Sequence, residues 1–220
     1  MVLSIIHSER VRIQADQVEM EGVLRLPEDH AGVILFAHGG AGSRLNPPND
    51  YVESVLRDAR LCTLWLDLLT PQEARSQHMR IDSQLLTHRL NAACDWLRQQ
   101  GATSDLPISL FGTCNAAAPA LQLAAERGHD ICAVVSRGGR PNLANQGVLG
   151  KISAPTLLIV GGLDDGAIDI NRAVYAALRC KKRFEIIPGA TRTFDEPGSV
   201  EVVARLTRGW ILQHTHLAYA

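Results

Sequence analysis

The stretch of sequence that decides the fold is Pro107-Ile-Ser-Leu-Phe-Gly-Thr-Cys-Asn-Ala-Ala-Ala-Pro-Ala120. A short apolar run stops at Gly112 and an alanine-rich helical run begins two residues later, so Cys114 lies on the corner between a strand and a helix. Such a corner presents one side chain beside the free N–H groups and positive dipole end of the helix. This geometry suits a nucleophile, although a small cysteine buried under a βα turn would give the same pattern.

Strands and helices alternate on both sides of this corner. Continuous apolar runs predict buried strands at 32–38, 62–66, 108–111, 131–135, 155–160 and 184–187. Two β-leaning runs at 10–14 and 18–26 predict an antiparallel pair before them. We therefore predict a single α/β domain over 1–220, with a mostly parallel sheet, an antiparallel N-terminal pair and helices on both faces. Ligands of such sheets bind beyond the carboxyl ends of the strands.

Composition excludes several classes of function. The chain has 220 residues, a net charge of −1 and no long run of lysine or arginine, so it has no electrostatic footprint for nucleic acid. No run is long enough for a signal peptide or a membrane span, and no cluster has the spacing of metal ligands. We expect no cofactor, no metal and a small-molecule ligand. Five cysteines without C-x-x-C spacing indicate reduced thiols and a cytoplasmic protein: Cys62, Cys94, Cys114, Cys132 and Cys180.

Five motifs at the predicted strand ends carry a family resemblance. They are Phe36-Ala-His-Gly-Gly-Ala-Gly-Ser-Arg44, Phe111-Gly-Thr-Cys114, Val135-Ser-Arg-Gly-Gly-Arg-Pro141, Leu158-Ile-Val-Gly-Gly-Leu-Asp164 and Ile187-Pro-Gly-Ala-Thr-Arg-Thr-Phe194. With them, nearly the whole chain resembles the dienelactone hydrolase family of α/β hydrolases. The resemblance implies an α/β-hydrolase fold and hydrolysis of a small ester or lactone. It also implies Cys114 as nucleophile, Asp164 as acid, and the N–H groups of Gly40 and Asn115 as the oxyanion hole.

One position departs from the family pattern. Where the family has P-G-A-T-H-x-F, this chain has Arg192 in place of the catalytic histidine. A guanidinium group stays protonated in proteins, so Arg192 cannot serve as a general base. If Arg192 pairs with Asp164, the triad is inactive and the crevice binds or senses a small molecule. If it lies near Cys114, its charge favours the thiolate and acylation needs no base, while a departing enolate could help turnover.

Other side chains after strand ends could bind substrate. Arginine holds carboxylates with two hydrogen bonds, so an anionic ester or lactone would suit the four arginines that follow strand ends. They are Arg44, Arg137, Arg140 and Arg192. The alternative for the first three is a solvated arginine in an irregular loop, and Arg137 is predicted to begin such a loop.

Among the histidines, His38 is the best placed to replace the missing base, although a histidine in an H-G turn more often orders the loop. His78 and His88 follow Asp67 on a loop and helix, and neither has a partner visible in the sequence. His214 and His216 are interpreted as solvated tail residues. A third function, redox sensing by Cys114, has no resolving cysteine nearby in the sequence.

Overall fold

The centre of the molecule is an eight-stranded sheet. The computed structural model describes residues 6–38, 47–144 and 146–215. The strands are β1 (Ile6–Ala15), β2 (Val18–Pro27), β3 (Gly32–His38), β4 (Leu61–Asp67), β5 (Ile108–Thr113), β6 (Ile131–Arg137), β7 (Thr156–Gly161) and β8 (Lys182–Ile187). Their order in the sheet is β1-β2-β4-β3-β5-β6-β7-β8. The β1–β2 and β2–β4 pairs are antiparallel and the others are parallel, which confirms the predicted fold class.

Helices cover both faces of this sheet. They are α1 (Pro47–Asp58), α2 (Gln77–Ile81), α3 (Ser83–Gln99), α4 (Ala117–Arg127), α5 (Gln146–Leu149), α6 (Asp165–Ala177) and α7 (Ser199–Thr215). Side chains of α3, α4 and α6 contribute to the apolar core on one face. Those of α1 and α7 contribute to a second core on the other face. A sheet covered in this way leaves its strand ends as the places where a ligand can enter.

Strand β3 shows why the central strands read as continuous apolar runs. Val33 and Leu35 belong to the core under α3, whereas Ile34 and Phe36 belong to the core under α1 and α7. Successive side chains of a strand point to opposite faces. Both faces are covered here, so every position of the strand favours an apolar residue.

Several of the described strands are longer than the apolar runs that predict them. Strand β6 continues through Arg137, which pairs in register with Thr113 of β5 and Ile159 of β7. The prediction that Arg137 begins an irregular segment is therefore wrong. Apolar patterning stops at Val135, but ladder hydrogen bonds to two neighbours extend the strand by two polar residues.

An ion pair fixes the segment between β4 and α3. The guanidinium of Arg89 on α3 donates two hydrogen bonds to the carboxylate of Glu73, at 2.6 and 2.7 Å, and a third to the carbonyl of Leu68. The Glu73 carboxylate also accepts the N–H of Thr70. The hydrogen bonds from Arg89 lower the pKa of Glu73 to about 2, against the effect of burial. This clamp holds the loop that leads into α2.

Candidate active site

Cys114 lies directly after β5, at the carboxyl edge of the parallel strands. A 3₁₀ turn over Cys114–Ala116 joins it to α4, and its φ of +50° is in the left-handed region that non-glycine residues rarely adopt. Such a backbone costs on the order of 1–3 kcal/mol and persists only where the surroundings hold it. The side chain is partly exposed. This is the geometry of a nucleophile elbow.

Small residues make the sharp turn possible. A β-carbon at Gly112 would lie 2.8 Å from Cα of Ala117 and 2.9 Å from the carbonyl oxygen of Ala116. A β-carbon at Gly139 would lie 2.3 Å from Cβ of Ala117. Glycine at these two positions therefore lets the first turn of α4 approach both β5 and the loop after β6.

The loop after β6 packs directly on the elbow. The N–H of Arg140 donates to the carbonyl of Cys114 at 3.2 Å, and the side-chain amide of Asn171 donates to the carbonyl of Gly139 at 3.2 Å. Gly138 has a φ of +54° and donates its N–H to Ile159. These bonds fix the backbone of Cys114 relative to β6 and α6. The Arg140 side chain is exposed, in accord with a solvated loop arginine.

Asp164 follows β7 and caps α6. Its carboxylate accepts the N–H of Ala167 at 3.3 Å, and the residue is partly exposed. The loop that carries it is joined to the loop after β8, because Leu163 donates to the carbonyl of Ala190 at 2.9 Å. A β-carbon at Gly161 would lie 2.4 Å from the carbonyl oxygens of Ala190 and Thr191. The two loops are thus interlocked at the edge where the sequence places the catalytic acid.

Arg192 lies in the second of these interlocked loops. Its carbonyl oxygen would be 2.6 Å from a β-carbon at Gly138, so its backbone packs on the end of β6. The side chain is exposed. Within 6–38, 47–144 and 146–215, no ion pair joins Arg192 to Asp164. In these ranges, Arg192 therefore does not form the ion pair that would neutralise Asp164.

Arg137 is the buried cation of this edge. Its guanidinium carbon lies 5.9 Å from the centroid of the Phe111 ring and 5.7 Å from that of Phe194. Only 5% of the residue is exposed, and among the described residues Nε and Nη1 have no hydrogen-bond partner. Burial lowers the pKa of Arg137, and charge interactions with Cys114 and Asp195 oppose that shift. The alternative of a solvated loop arginine is thus wrong for this residue.

Phe194 is a residue of this site that the sequence analysis did not assign a role. It is fully buried with a φ of +59°, which is unusual for a bulky side chain. The strain places its ring against Gly138, where a β-carbon would lie 3.2 Å from Phe194 Cε2. The signal in the sequence was the motif Ile187 to Phe194, which carries the family resemblance and ends at this residue.

The remaining candidates are placed as follows. His38 ends β3, in register with Thr113 of β5, so its backbone is next to the elbow strand. Asn115 follows Cys114, and its side-chain amide donates to the carbonyl of Arg80 on α2 at 3.4 Å. Its backbone lies in the elbow turn, and its role as an oxyanion donor stays a prediction. Gly40 and Arg44 lie outside the described residues.

The other histidines are directed elsewhere. His78 is exposed on α2. His88 on α3 pairs with Asp16 of the β1–β2 turn at 2.9 Å. His214 is buried on α7, where its ring packs at a tilt against that of Trp210 and its Nδ1 contacts the Trp210 carbonyl at 2.7 Å. The expectation of a solvated tail is therefore wrong for His214, and His216 lies outside the described residues.

The described residues contain neither a cluster of metal ligands nor a membrane-spanning helix. No group of three or more His, Cys, Asp and Glu side chains in 6–38, 47–144 and 146–215 is arranged to hold a metal ion. Among the helices in the same ranges, none is long and apolar enough to cross a bilayer. All five cysteines are free thiols.

The sheet order, the strained elbow and the acid loop after β7 define the class of protein as an α/β hydrolase. Among solved structures, dienelactone hydrolase from Anabaena variabilis is 42% identical, with a TM-score of 0.90 over 95% of this chain and 98% of that one. The chain belongs to the dienelactone hydrolase family. Est1E from Butyrivibrio proteoclasticus shares the fold at 13% identity, with a TM-score of 0.78 over 93% of this chain and 98% of its own. No family model matches the sequence.

The curated relatives carry a functional name different from that of the solved structures. Two Mycobacterium tuberculosis proteins, from strains CDC 1551 and H37Rv, are provisionally named phosphoribosyl transferases and are 42% identical over 209 residues. The match covers 95% of this chain and 47% of each relative. The chain therefore spans about half the length of the curated relatives it matches.

Proposed function

We propose that the chain hydrolyses a small carboxylic ester or lactone through Cys114. The observation that supports this best is the φ of +50° at Cys114, between β5 and α4, because backbone strain at a strand-to-helix corner is a feature of nucleophile elbows. The 42% identity to a dienelactone hydrolase supports the same substrate class. In this proposal Asp164 is the acid and the N–H groups of Gly40 and Asn115 stabilise the oxyanion.

The first half of the reaction suits this set of groups. The Cys114 thiolate attacks the carbonyl carbon, and the developing negative charge on oxygen is stabilised by two backbone donors. The C–O bond then breaks and the leaving oxygen takes a proton from water. Arg137 and the solvent-facing Arg140 and Arg192 give the surroundings positive charge, which favours an anionic substrate.

The second half of the reaction lacks its usual base. Water must attack the thioester, and in the family pattern a histidine removes its proton. Arg192 cannot do so, which leaves His38 beside the elbow strand, or a basic group of the substrate such as a departing enolate. We therefore propose fast acylation and slow release. The alternative is a catalytically silent protein that binds a small molecule in the same crevice.

A panel of activated esters separates these functions. We expect a burst of about one equivalent of alcohol per chain followed by a low steady rate. Cys114→Ser should abolish the burst, and Cys132→Ala, at a thiol outside the site, should retain it. Absence of a burst with every ester, together with measurable ligand binding, would favour the silent alternative.

We do not transfer the phosphoribosyl transferase name to this chain. That name belongs to proteins of which the chain spans 47%, and the matched segment has the elbow of a hydrolase. Incubation with phosphoribosyl pyrophosphate and nucleobases tests this choice, and release of pyrophosphate would contradict it.

A further inference from the structure

A cavity lies at the amino ends of the parallel strands, at the edge of the sheet opposite the elbow. Its walls come from the start of β6, at Ile131 and Cys132, and from Ala154 and Pro155 just before β7. His214 lines it from the last turn of α7. The cavity has a volume of about 210 Å³, below the roughly 300–1,000 Å³ of pockets for drug-sized ligands. It therefore suits a molecule no larger than a single substituted ring.

The lining of this cavity carries no fixed charge. Among the described residues that form it, none is Asp, Glu, Lys or Arg. His129 and Ser153 are the exposed residues of its rim. Asp130, beside His129, is already bound by Arg98 at 3.0 Å and by Arg127 at 2.7 Å. A neutral ligand is favoured, because an ion would leave water without gaining a partner of opposite charge.

His214 brings a buried hydrogen-bond acceptor to the cavity. The residue is 3% exposed, and its Nδ1 lies 2.7 Å from the carbonyl oxygen of Trp210. A carbonyl oxygen can only accept, so the proton of the neutral ring is assigned to Nδ1. Burial lowers the pKa of His214, against the effect of the hydrogen bond with Trp210, and the ring is neutral at pH 7. Nε2 then has a lone pair and no proton.

The acceptor at Nε2 has no hydrogen-bond partner among the described residues. Nδ1 is directed at the backbone of α7, so Nε2, across the ring, is the imidazole nitrogen left to the cavity that His214 lines. A buried acceptor without a donor costs free energy, because folding has removed the water that bound it. A donor on a ligand would make the missing hydrogen bond.

We propose that this cavity binds a small neutral aromatic alcohol, of the phenol class, whose hydroxyl donates a hydrogen bond to Nε2 of His214. The ring packs on Ile131, Ala154 and Pro155, and the single hydroxyl matches the single buried acceptor. A phenol keeps its proton at pH 7, so it enters as a neutral donor. The site lies at the opposite edge of the sheet from Cys114, and the inference does not rest on the proposed function.

The test is a titration of the native chain with phenol at pH 7, followed by the ¹⁵N signal of His214 Nε2 in long-range NMR spectra. We expect a saturable shift with a dissociation constant on the order of 1 mM, because so small a ligand makes few contacts. Toluene has the same ring without a donor and should bind about tenfold more weakly. Toluene that binds as tightly as phenol would refute the hydrogen bond to His214.

A matched pair of variants isolates the acceptor. His214→Phe keeps a ring and removes Nε2, so phenol should bind about tenfold more weakly, and toluene should bind as it does to the native chain. His78→Phe makes the same change at an exposed histidine of α2 and should leave both affinities unchanged. A folded His214→Phe that binds phenol as tightly as the native chain would overturn the proposal.

Cys132 supplies a second measurement in the native chain, which keeps the test decisive if His214→Phe fails to fold. Its partly exposed thiol lines the cavity, whereas Cys180 is not among the described residues that do so. Saturating phenol should slow the alkylation of Cys132 by iodoacetamide, mapped by mass, and leave that of Cys180 unchanged. No effect on Cys132, or an equal effect on both thiols, would show that phenol does not occupy this cavity.

Discussion

At the scale of single residues, the site is built from strained backbone. Cys114 and Phe194 have φ values of +50° and +59°, which side chains rarely adopt, and Gly138 on the neighbouring loop has a φ of +54°, which glycine adopts without strain. Strain of this kind is retained where it places groups for function. Here it sets the phenyl ring of Phe194 against Arg137.

The first prediction concerns Gly138. Its substitution by alanine adds a β-carbon 2.6 Å from the Arg192 carbonyl oxygen, on a backbone that already has a positive φ. Gly128 has a φ of +57° but open space around it, so Gly128→Ala meets only the backbone cost. We expect urea unfolding to show a larger loss for Gly138→Ala, by about 1 kcal/mol or more. If both variants lost the same free energy of unfolding, the loop after β8 would have to move away from the added β-carbon without cost.

The second prediction concerns Arg192→His. A histidine at this position restores a group that titrates near neutral pH, next to the loop that carries Asp164. We expect the steady rate of ester hydrolysis to rise by about 10²–10⁴-fold, the usual contribution of general acid–base catalysis. Arg192→Gln removes the charge without adding a base and should leave the steady rate low. A native chain that already turns over rapidly would show that another base is in place.

The sequence indicated the positions of these residues along the chain better than their surroundings. Cys114 was expected at a corner from the order of strand, glycine and helix, and the structure has it there. The burial of Arg137 could not be predicted, because it depends on Phe111 and Phe194, which meet it from another strand and from the loop after β8. The catalytic roles of Cys114, Asp164 and Asn115 stay predictions.

At the scale of elements, the segment between β4 and α3 depends on one ion pair. Glu73 has its pKa lowered to about 2 by hydrogen bonds from Arg89, against a usual value of 4.5. The stabilisation is therefore complete above pH 4.5 and is lost as the pH falls from 4.5 towards 2.

The third prediction follows from this clamp. Glu73→Gln should lower the free energy of unfolding by about 3 kcal/mol at pH 7, and the difference from the native chain should shrink between pH 4.5 and 2. Glu19→Gln is the matched control, because Glu19 and Arg12 form an exposed pair at 3.6 Å. Its effect should be within about 1 kcal/mol. Denaturant titrations at several pH values measure both, and a pH-independent difference for Glu73→Gln would contradict the clamp.

The fourth prediction concerns helix α7. Gly209 lies in its interior, and a β-carbon there would meet nothing within 4 Å. Alanine has a higher helix propensity by about 1 kcal/mol, so Gly209→Ala should raise the free energy of unfolding by roughly that amount. Thermal and urea unfolding of the native chain and of Gly209→Ala measure this difference in the free energy of unfolding. A loss of stability would indicate that α7 contacts something at this face.

Element boundaries were the least predictable part of the fold. The apolar runs identified every central strand, but ladder hydrogen bonds extend β6 past its last apolar residue to Arg137 and begin β8 two residues before its apolar run, at Lys182. His214 was expected in a solvated tail because the sequence there is polar. Instead, α7 continues through Thr215, and the His214 ring is buried against that of Trp210.

At the scale of the whole molecule, one continuous sheet joins the two apolar cores. The single domain over 1–220 stays a prediction, and it implies one cooperative unfolding transition. Circular dichroism and tryptophan fluorescence should give coincident curves, whereas separated transitions would indicate independent units. The cytoplasmic location also stays a prediction.

The central claim is that Cys114 is a nucleophile whose acyl intermediate forms faster than it is released. Its most direct test is a mass measurement of the chain after brief exposure to an activated ester, with the modified peptide mapped. We predict one acyl group on Cys114 that persists in the native chain, clears in Arg192→His and is absent in Cys114→Ser. A native chain that carries no adduct and shows no turnover, or an adduct on Cys132 or Cys180 alone, would contradict the account.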